Sequence, residues 1–413
     1  MRKIPISLFL FCLFAAAEPL RSELFLNELG ASNVLSYRNA DGNYEDWIEI
    51  HNSGPAAVDL AGWSLSNDAG LGSAWRIPFG RPAETTVPAR GFLVLIADGE
   101  TNLGADHLGF RLAREGGRVT LIGPDGISIA DAVTYGRQSA DVSYGRHPDG
   151  TDDWGFMSPP SPGAANGTGH AGVCAEPVIE TAPGFYGGPV AVSIRTGRPD
   201  ETVRFSLDGE DPDESSSAFT GPLAVSRSCV LRARGFKTGF LPGPIATASY
   251  FLNESSALPV ASLVIDPDDL YDPDTGIYVH PGSDTDRGHD GRMWERRAFI
   301  EYFPDMKAGF RMPGGLRTQG NSSPDSYAKQ SYRIHFRDGY GNGRLDYPLF
   351  PGDSVESFRN LVLRAGYDDG LDPGEENTRT GTLIRDPLLT ELWRRAGQPV
   401  SRDRFSNLFL NGA

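Results

Sequence analysis

At 413 residues the chain exceeds one ordinary domain, and the usual 100 to 200 residues per domain predicts several compact units. Gly and Pro, 50 and 31 residues, supply about a fifth of the chain where about 12% is ordinary, which favours turn-rich β domains over helix bundles. With 54 acidic against 38 basic side chains, a formal charge of -16 and no basic cluster, a nucleic-acid backbone is excluded as a partner.

In chain order, the first element is a leader. Arg2 and Lys3 precede an apolar run from Ile4 to Ala17, closed by Ala15-Ala16-Ala17 before Glu18. That is the plan of a signal peptide over residues 1–17, and the apolar run is shorter than the roughly 20 residues a membrane span needs. The expectation is a secreted or cell-surface protein that does not span the membrane once the leader is removed. Cys12 follows Phe11 rather than a small residue, so lipidation is not expected. The remaining cysteines, Cys174 and Cys229, form a disulfide candidate in an oxidising compartment. No Cys-x-x-Cys occurs, and the loose pair His280 and His289 lacks metal-ligand spacing, so no metal ligands are assigned.

Over residues 24–156, short alternating runs (LFLNEL, DWIEIHN, WSLSN, FLVLIAD, RVTLIG) are separated by Gly, Asn, Asp and Pro turns, the pattern of a β-sandwich. Trp47, Ile48 and Ile50 are expected in its core, with Glu49 and Asn52 facing out or bonding loops. Residues 157–175 are rich in Pro, Gly and Ser without apolar periodicity and read as a linker. Residues 176–252 form a second small β unit with a turn at Asp208-Gly209. From residue 258, strands at LPVASLVID, GIYVH, RRAFIEYF, GLRTQG, SYRIHF and NLVLRAG are followed by the best helix of the chain, at 386–397. There Leu388, Leu389, Leu392 and Trp393 recur at helical spacing, which predicts an antiparallel sheet with a packed helix.

The residues most suggestive of chemistry lie between 311 and 337. Gly314-Gly315 and Gly320-Asn321-Ser322-Ser323 precede Lys329 and Arg333; such a turn with a nearby Lys is either a phosphate cradle or an ordinary hairpin. The spacing fits neither the P-loop nor the protein-kinase glycine loop. Asp386 before Pro387 also reads as a helix N-cap. Asp266, Asp268, Asp269, Asp272 and Asp274 fit turn-forming carboxylates better than a calcium loop.

Three resemblances organise these segments. LFLNEL, DWIEIHNSG, VDLAGWSLSN and VPARGFLVLIAD resemble the lamin tail domain, an immunoglobulin-like sandwich, which implies a binding or adhesion module. Leu207-Asp208-Gly209, Asp211-Pro212, Arg232-Ala233-Arg234 and Tyr250 resemble the chitobiase/hexosaminidase C-terminal sandwich; Phe185, Tyr186 and Phe240 are its candidates for stacking on carbohydrate, against core or interface packing. Six ordered blocks between 258 and 412 resemble the CotH kinase family. The fold class is therefore mainly β and multi-domain: two sandwiches, then an incomplete α+β atypical kinase-like domain over 258–413.

The kinase resemblance implies ATP- and Mg2+-dependent phosphorylation of Ser or Thr in extracellular or surface proteins. It places Gly320, Asn321, Ser322, Lys329, Arg364 and Arg385 at the nucleotide. The family's catalytic carboxylates lie beyond the strand ending LNG, so no catalytic residue is assigned and the chain is expected to be a catalytically incomplete fragment. The alternative is a non-catalytic surface binding or adhesion protein working through its sandwiches.

Overall fold

The computed structural model describes residues 23–68, 74–278, 294–319, 330–366 and 384–413. The leader, Cys12, His280, His289, Gly320, Asn321, Ser322 and Lys329 lie outside the described residues.

The first unit is a sandwich. One sheet runs in the order Trp154–Met157, Ser143–Arg146, Leu24–Gly30, Trp47–Asn52, Phe92–Ile96, and the other joins Trp75–Arg76, Ser64–Ser66, Gly117–Ile122 and Ile129–Tyr135. Alternation sends Leu26, Ile48, Ile50, Leu65, Leu95 and Val119 into one core. Trp47 is equally buried, but on the opposite side of its strand, against Tyr37 at 5.8 Å between ring centroids. The register slips between Leu26 and Glu28, so both Asn27 and Glu28 are buried in succession.

Residues 157–175 do not hang free between units. Ser161 and Gly163 donate backbone N–H groups to Glu28 and Glu49, Phe156 and His170 exchange backbone hydrogen bonds, and Cys174 N–H donates to Leu241. The reason is that two buried carboxylates need donors, and this Pro- and Gly-rich strap supplies them. Glu49 accordingly does not face out: it is fully buried, accepting from Asn27 Nδ2 at 3.0 Å and Gly163 N at 2.6 Å. Asn52 is buried too and ties the loops at Ala56 and Pro88, as expected of a loop-bonding residue.

The second unit centres on a sheet ordered Gly184–Tyr186, Ala246–Leu252, Cys229–Phe236, Thr202–Ser206, Ser217–Ala218. Gly209 takes a positive φ of 97° at the Asp208-Gly209 turn, a conformation that favours glycine. Cys174 and Cys229 are free buried thiols. Cys174 lies beside Gly235, six residues along the strand from Cys229, a separation of roughly 20 Å at strand rise, far beyond disulfide reach.

The third unit is a six-stranded sheet ordered Asn360–Leu363, Ser331–His335, Phe310–Gln319, Arg296–Phe303, Val260–Ile265, Asn407–Leu410. Neighbours are antiparallel except the last pair, where Asn411 clamps the parallel strand by exchanging hydrogen bonds with the backbone of Ile265 at 3.0 and 2.9 Å. One face carries Leu263, Ile300, Leu316, Tyr332 and Ile334 into a core shared with Leu270 and Ile277.

The other face meets the second sandwich. Phe185, Phe251, Phe303 and Phe409 gather around Val260, and Ser249 Oγ lies 2.8 Å from Ser262 Oγ. Strands Ala246–Leu252 and Val260–Ile265 are buried at every residue, because each is covered on both faces.

The helix forms at Arg385–Arg395, but it is not packed: Leu388, Leu389, Leu392 and Trp393 are 53–59% exposed. Its apolar spacing is real, yet among the described residues nothing covers that face. The chain is thus mostly β, with few helices.

Candidate functional site

The sequence candidates separate in space. Arg364, just past the edge strand, pairs with Asp386 at 2.5 Å, both more than half exposed. Asp386 is not the N-cap of the helix; that position is Ile384, and no side chain caps it. The helix instead starts one residue before Asp386, which places this carboxylate in the first turn, where the helix dipole favours it. Arg385 opens the helix and is exposed. These groups form a surface ion pair rather than the interior of a pocket.

Gly314 and Gly315 are not a phosphate-cradling turn. They sit mid-strand, opposite Ala298 and Arg297 on one side, with Gly315 also opposite His335. A Cβ on Gly314 would meet Ile334 at 2.9 Å, and one on Gly315 would collide with the Glu295 carboxylate. The pair is glycine because a core side chain and a buried acid press onto the strand from opposite faces.

Glu295 organises the polar face of this sheet. It is fully buried, and its carboxylate accepts from Arg317 Nε and Nη2 at 2.9 and 2.7 Å and from Arg337 Nε and Nη2 at 2.8 and 2.9 Å. Burial alone would raise its pKa, but hydrogen bonds and charge from Arg337 and Arg317 overturn that and hold it down at about 2. Strand alternation brings Arg333 and His335 to the same face: Arg317 stands directly opposite Arg333, and His335 feels the charges of Glu295, Arg317, Arg337 and Arg333. Burial, with help from those arginines, lowers the His335 pKa to about 4, so its ring is neutral at pH 7. Arg333 Nε and His335 Nε2 are buried without a hydrogen-bond partner among the described residues.

Glu295, Arg317, His335 and Arg337 were missed as site residues in the sequence. The signal for three of the face's members was present: Arg333, His335 and Arg337 alternate with Tyr332, Ile334 and Phe336, a period-two pattern that puts all three on one side.

The acidic series divides between caps and ion pairs. Asp266 caps the short helix Pro267–Tyr271 by accepting from Asp268 N at 2.9 Å, and Asp272 accepts from the backbone N–H groups of Asp274 and Thr275. Among the described residues no three His, Cys, Asp or Glu side chains come together as a metal site.

Two of the three aromatic candidates for carbohydrate are engaged in packing. Phe185 stacks on Phe251 at 4.8 Å in the interface with the third unit, Tyr186 packs on the sandwich core, and Phe240 lies under Lys237 and against Gly172. For Phe185 and Tyr186 the reading as a sugar platform is replaced by interface and core packing, while Phe240 is half-buried outside the core clusters.

Comparison with known families gives three matches in order along the chain. Residues 31–137 match the Lamin Tail Domain, residues 181–247 the Chitobiase/beta-hexosaminidase C-terminal domain, and residues 316–413 CotH kinase protein. No curated protein matches the chain. The third match opens inside the strand Phe310–Gln319, so Arg317, Arg333, His335 and Arg337 fall within it while Glu295 lies outside it, 21 residues before its start.

Proposed function

We propose that this is a secreted modular protein whose third unit serves ATP-dependent phosphorylation of extracellular or surface proteins. The observation that carries the reading is the match of residues 316–413 to CotH kinase protein, on a sheet whose polar face concentrates Arg317, Arg333 and Arg337. Phosphoryl transfer is mainly positioning and charge stabilisation, and guanidinium groups are well suited to hold phosphate oxygens.

The residues present fit the phosphates of ATP better than its metal. Arg317, Arg333 and Arg337 supply donors for phosphate oxygens. Glu295, the acid between these arginines, is already engaged by two of them, so no step through Mg2+ is derived. Gly320, Asn321, Ser322 and Lys329 are assigned to the nucleotide by family resemblance, Lys329 as the cation pairing with its phosphates. Arg364 and Arg385 join them only if the Arg364–Asp386 pair opens.

The test is ATP binding and labelling of a protein acceptor, with Lys329→Ala beside the unaltered chain. Loss of ATP binding in the variant is expected; unchanged binding would remove Lys329 from the site. A second reading, non-catalytic surface binding, is favoured by the uncovered apolar face of helix Arg385–Arg395. It predicts ligand or carbohydrate binding that ATP does not alter.

A further inference from the structure

The seam between the second and third units, aromatic around Phe251 and Phe303, also encloses an acid. Glu301 lies on strand Arg296–Phe303, opposite Ser262 on one neighbouring strand and Arg311 on the other. It is 1% exposed. Its Oε2 accepts the Ser249 N–H of the second sandwich at 2.7 Å, next to the Ser249–Ser262 hydroxyl pair that crosses the same seam. Oε1 is buried without a hydrogen-bond partner among the described residues, and Arg311 Nε stands 3.5 Å from it. Arg311 is itself exposed and donates its Nη2 to the Thr247 carbonyl. A carboxylate held this way keeps one hydrogen bond and a loose ion pair in exchange for its hydration, which favours the neutral acid. Burial accordingly raises its pKa to about 7, against the pull of Arg311 and Ser249. Of the other titratable groups around it, the Tyr250 phenol is pushed up by burial, and Glu176, likewise raised by burial, draws on Arg297 and Arg311.

We propose that Glu301 is a proton-operated latch between the two units: the second sandwich docks most tightly on the third unit while Glu301 carries a proton, and loss of that proton loosens the seam. An ionised Glu301 can regain its hydration only if strand Ala246–Leu252 parts from the sheet beneath it. Because burial raises the pKa, the contribution to docking is complete below the ordinary carboxylate value near 4.5 and is lost as pH rises through about 7. The loosening reaches the edge of the third sheet, since Phe409 lies 4.7 Å from Phe251 between ring centroids and Gly412 rests on the backbone of Cys229. The latch does not depend on phosphoryl transfer, so failure of the kinase reading leaves it standing.

The experiment follows amide hydrogen exchange of the full chain from pH 5 to pH 8, corrected for the intrinsic pH dependence of exchange, at strand Ala246–Leu252 and with Glu301→Gln alongside. Protection of the Ser249 amide and its strand is expected to fall about tenfold or more over that range in the unaltered protein. In Glu301→Gln, which keeps a neutral acceptor for Ser249, it is expected to change by less than about threefold. Protection that does not fall in the unaltered protein, or that falls equally in the variant, overturns the latch. Should Glu301→Gln fail to fold, Arg311→Gln replaces it: without the cation that favours the charged form, the fall must move to higher pH, and an unmoved fall overturns the proposal.

Discussion

Two fully buried glutamates, Glu49 in the first sandwich and Glu295 in the third unit, are held in different protonation states. Glu49 is bonded by a side-chain amide and a backbone N–H, and burial, with the nearby Glu28 and Asp149 carboxylates, pushes its pKa up to about 8. Glu295 meets two guanidinium groups and is held down at about 2. Burial is common to both; the charge of the partner decides which form is kept. The first sandwich thus stores a neutral acid as a latch for the 157–175 strap, while the third unit stores an ion pair that shapes a cationic surface.

The sharpest way to break this contrast is Glu295→Ala, which strands two half-buried arginines and is expected to cost about 3–5 kcal/mol in denaturant unfolding. A loss under 1 kcal/mol would show that the arginines find other partners. Phe303→Ala, which empties the centre of the seam between the second and third units, is expected to cost about 3 kcal/mol; two separate unfolding transitions in the variant would mark uncoupling of the units.

Titration separates the two acids by sign. Glu49, with a raised pKa, contributes stability that is full below the ordinary carboxylate value near 4.5 and is lost as pH rises through about 8. Glu295, with a depressed pKa, contributes stability that is full above 4.5 and is lost as pH falls towards 2. Glu49→Gln mimics the neutral acid and is expected to change stability by less than about 1 kcal/mol at pH 6 while flattening the decline between pH 4.5 and 8. A slope identical to that of the unaltered protein would reject the neutral latch. The smallest effect is expected from Leu392→Ser on the uncovered helix, within about 0.5 kcal/mol; a larger loss in thermal melting would mean that this face is covered in solution.

The sequence reveals what depends on neighbours along the chain and conceals what depends on distant ones. Alternation in LFLNEL and WIEIHN places Leu26, Ile48 and Ile50 in the core, and the Asp-Gly pair at 208–209 marks its turn. The burial of Glu49 was hidden because charged residues are rarely fully buried unless paired, and its donor Gly163 lies 114 residues away. Glu295 was hidden for the same reason: Arg317 and Arg337 reach it from 22 and 42 residues off. The Cys174–Cys229 pairing failed because loop length says nothing of the positions the two thiols take along a strand. Helical spacing at Leu388, Leu389, Leu392 and Trp393 showed which side is apolar, not that something covers it.

The doubly covered strands Ala246–Leu252 and Val260–Ile265 make the short connection between them a border in sequence only. A cut there would lay bare Phe251 and Phe303, both at most 1% exposed, and leave Glu301 without the Ser249 N–H it accepts from. The second sandwich and the sheet it covers are therefore one heritable block: shuffled or expressed apart, each half would carry a sticky aromatic wound, so the smallest piece that can be moved intact spans both.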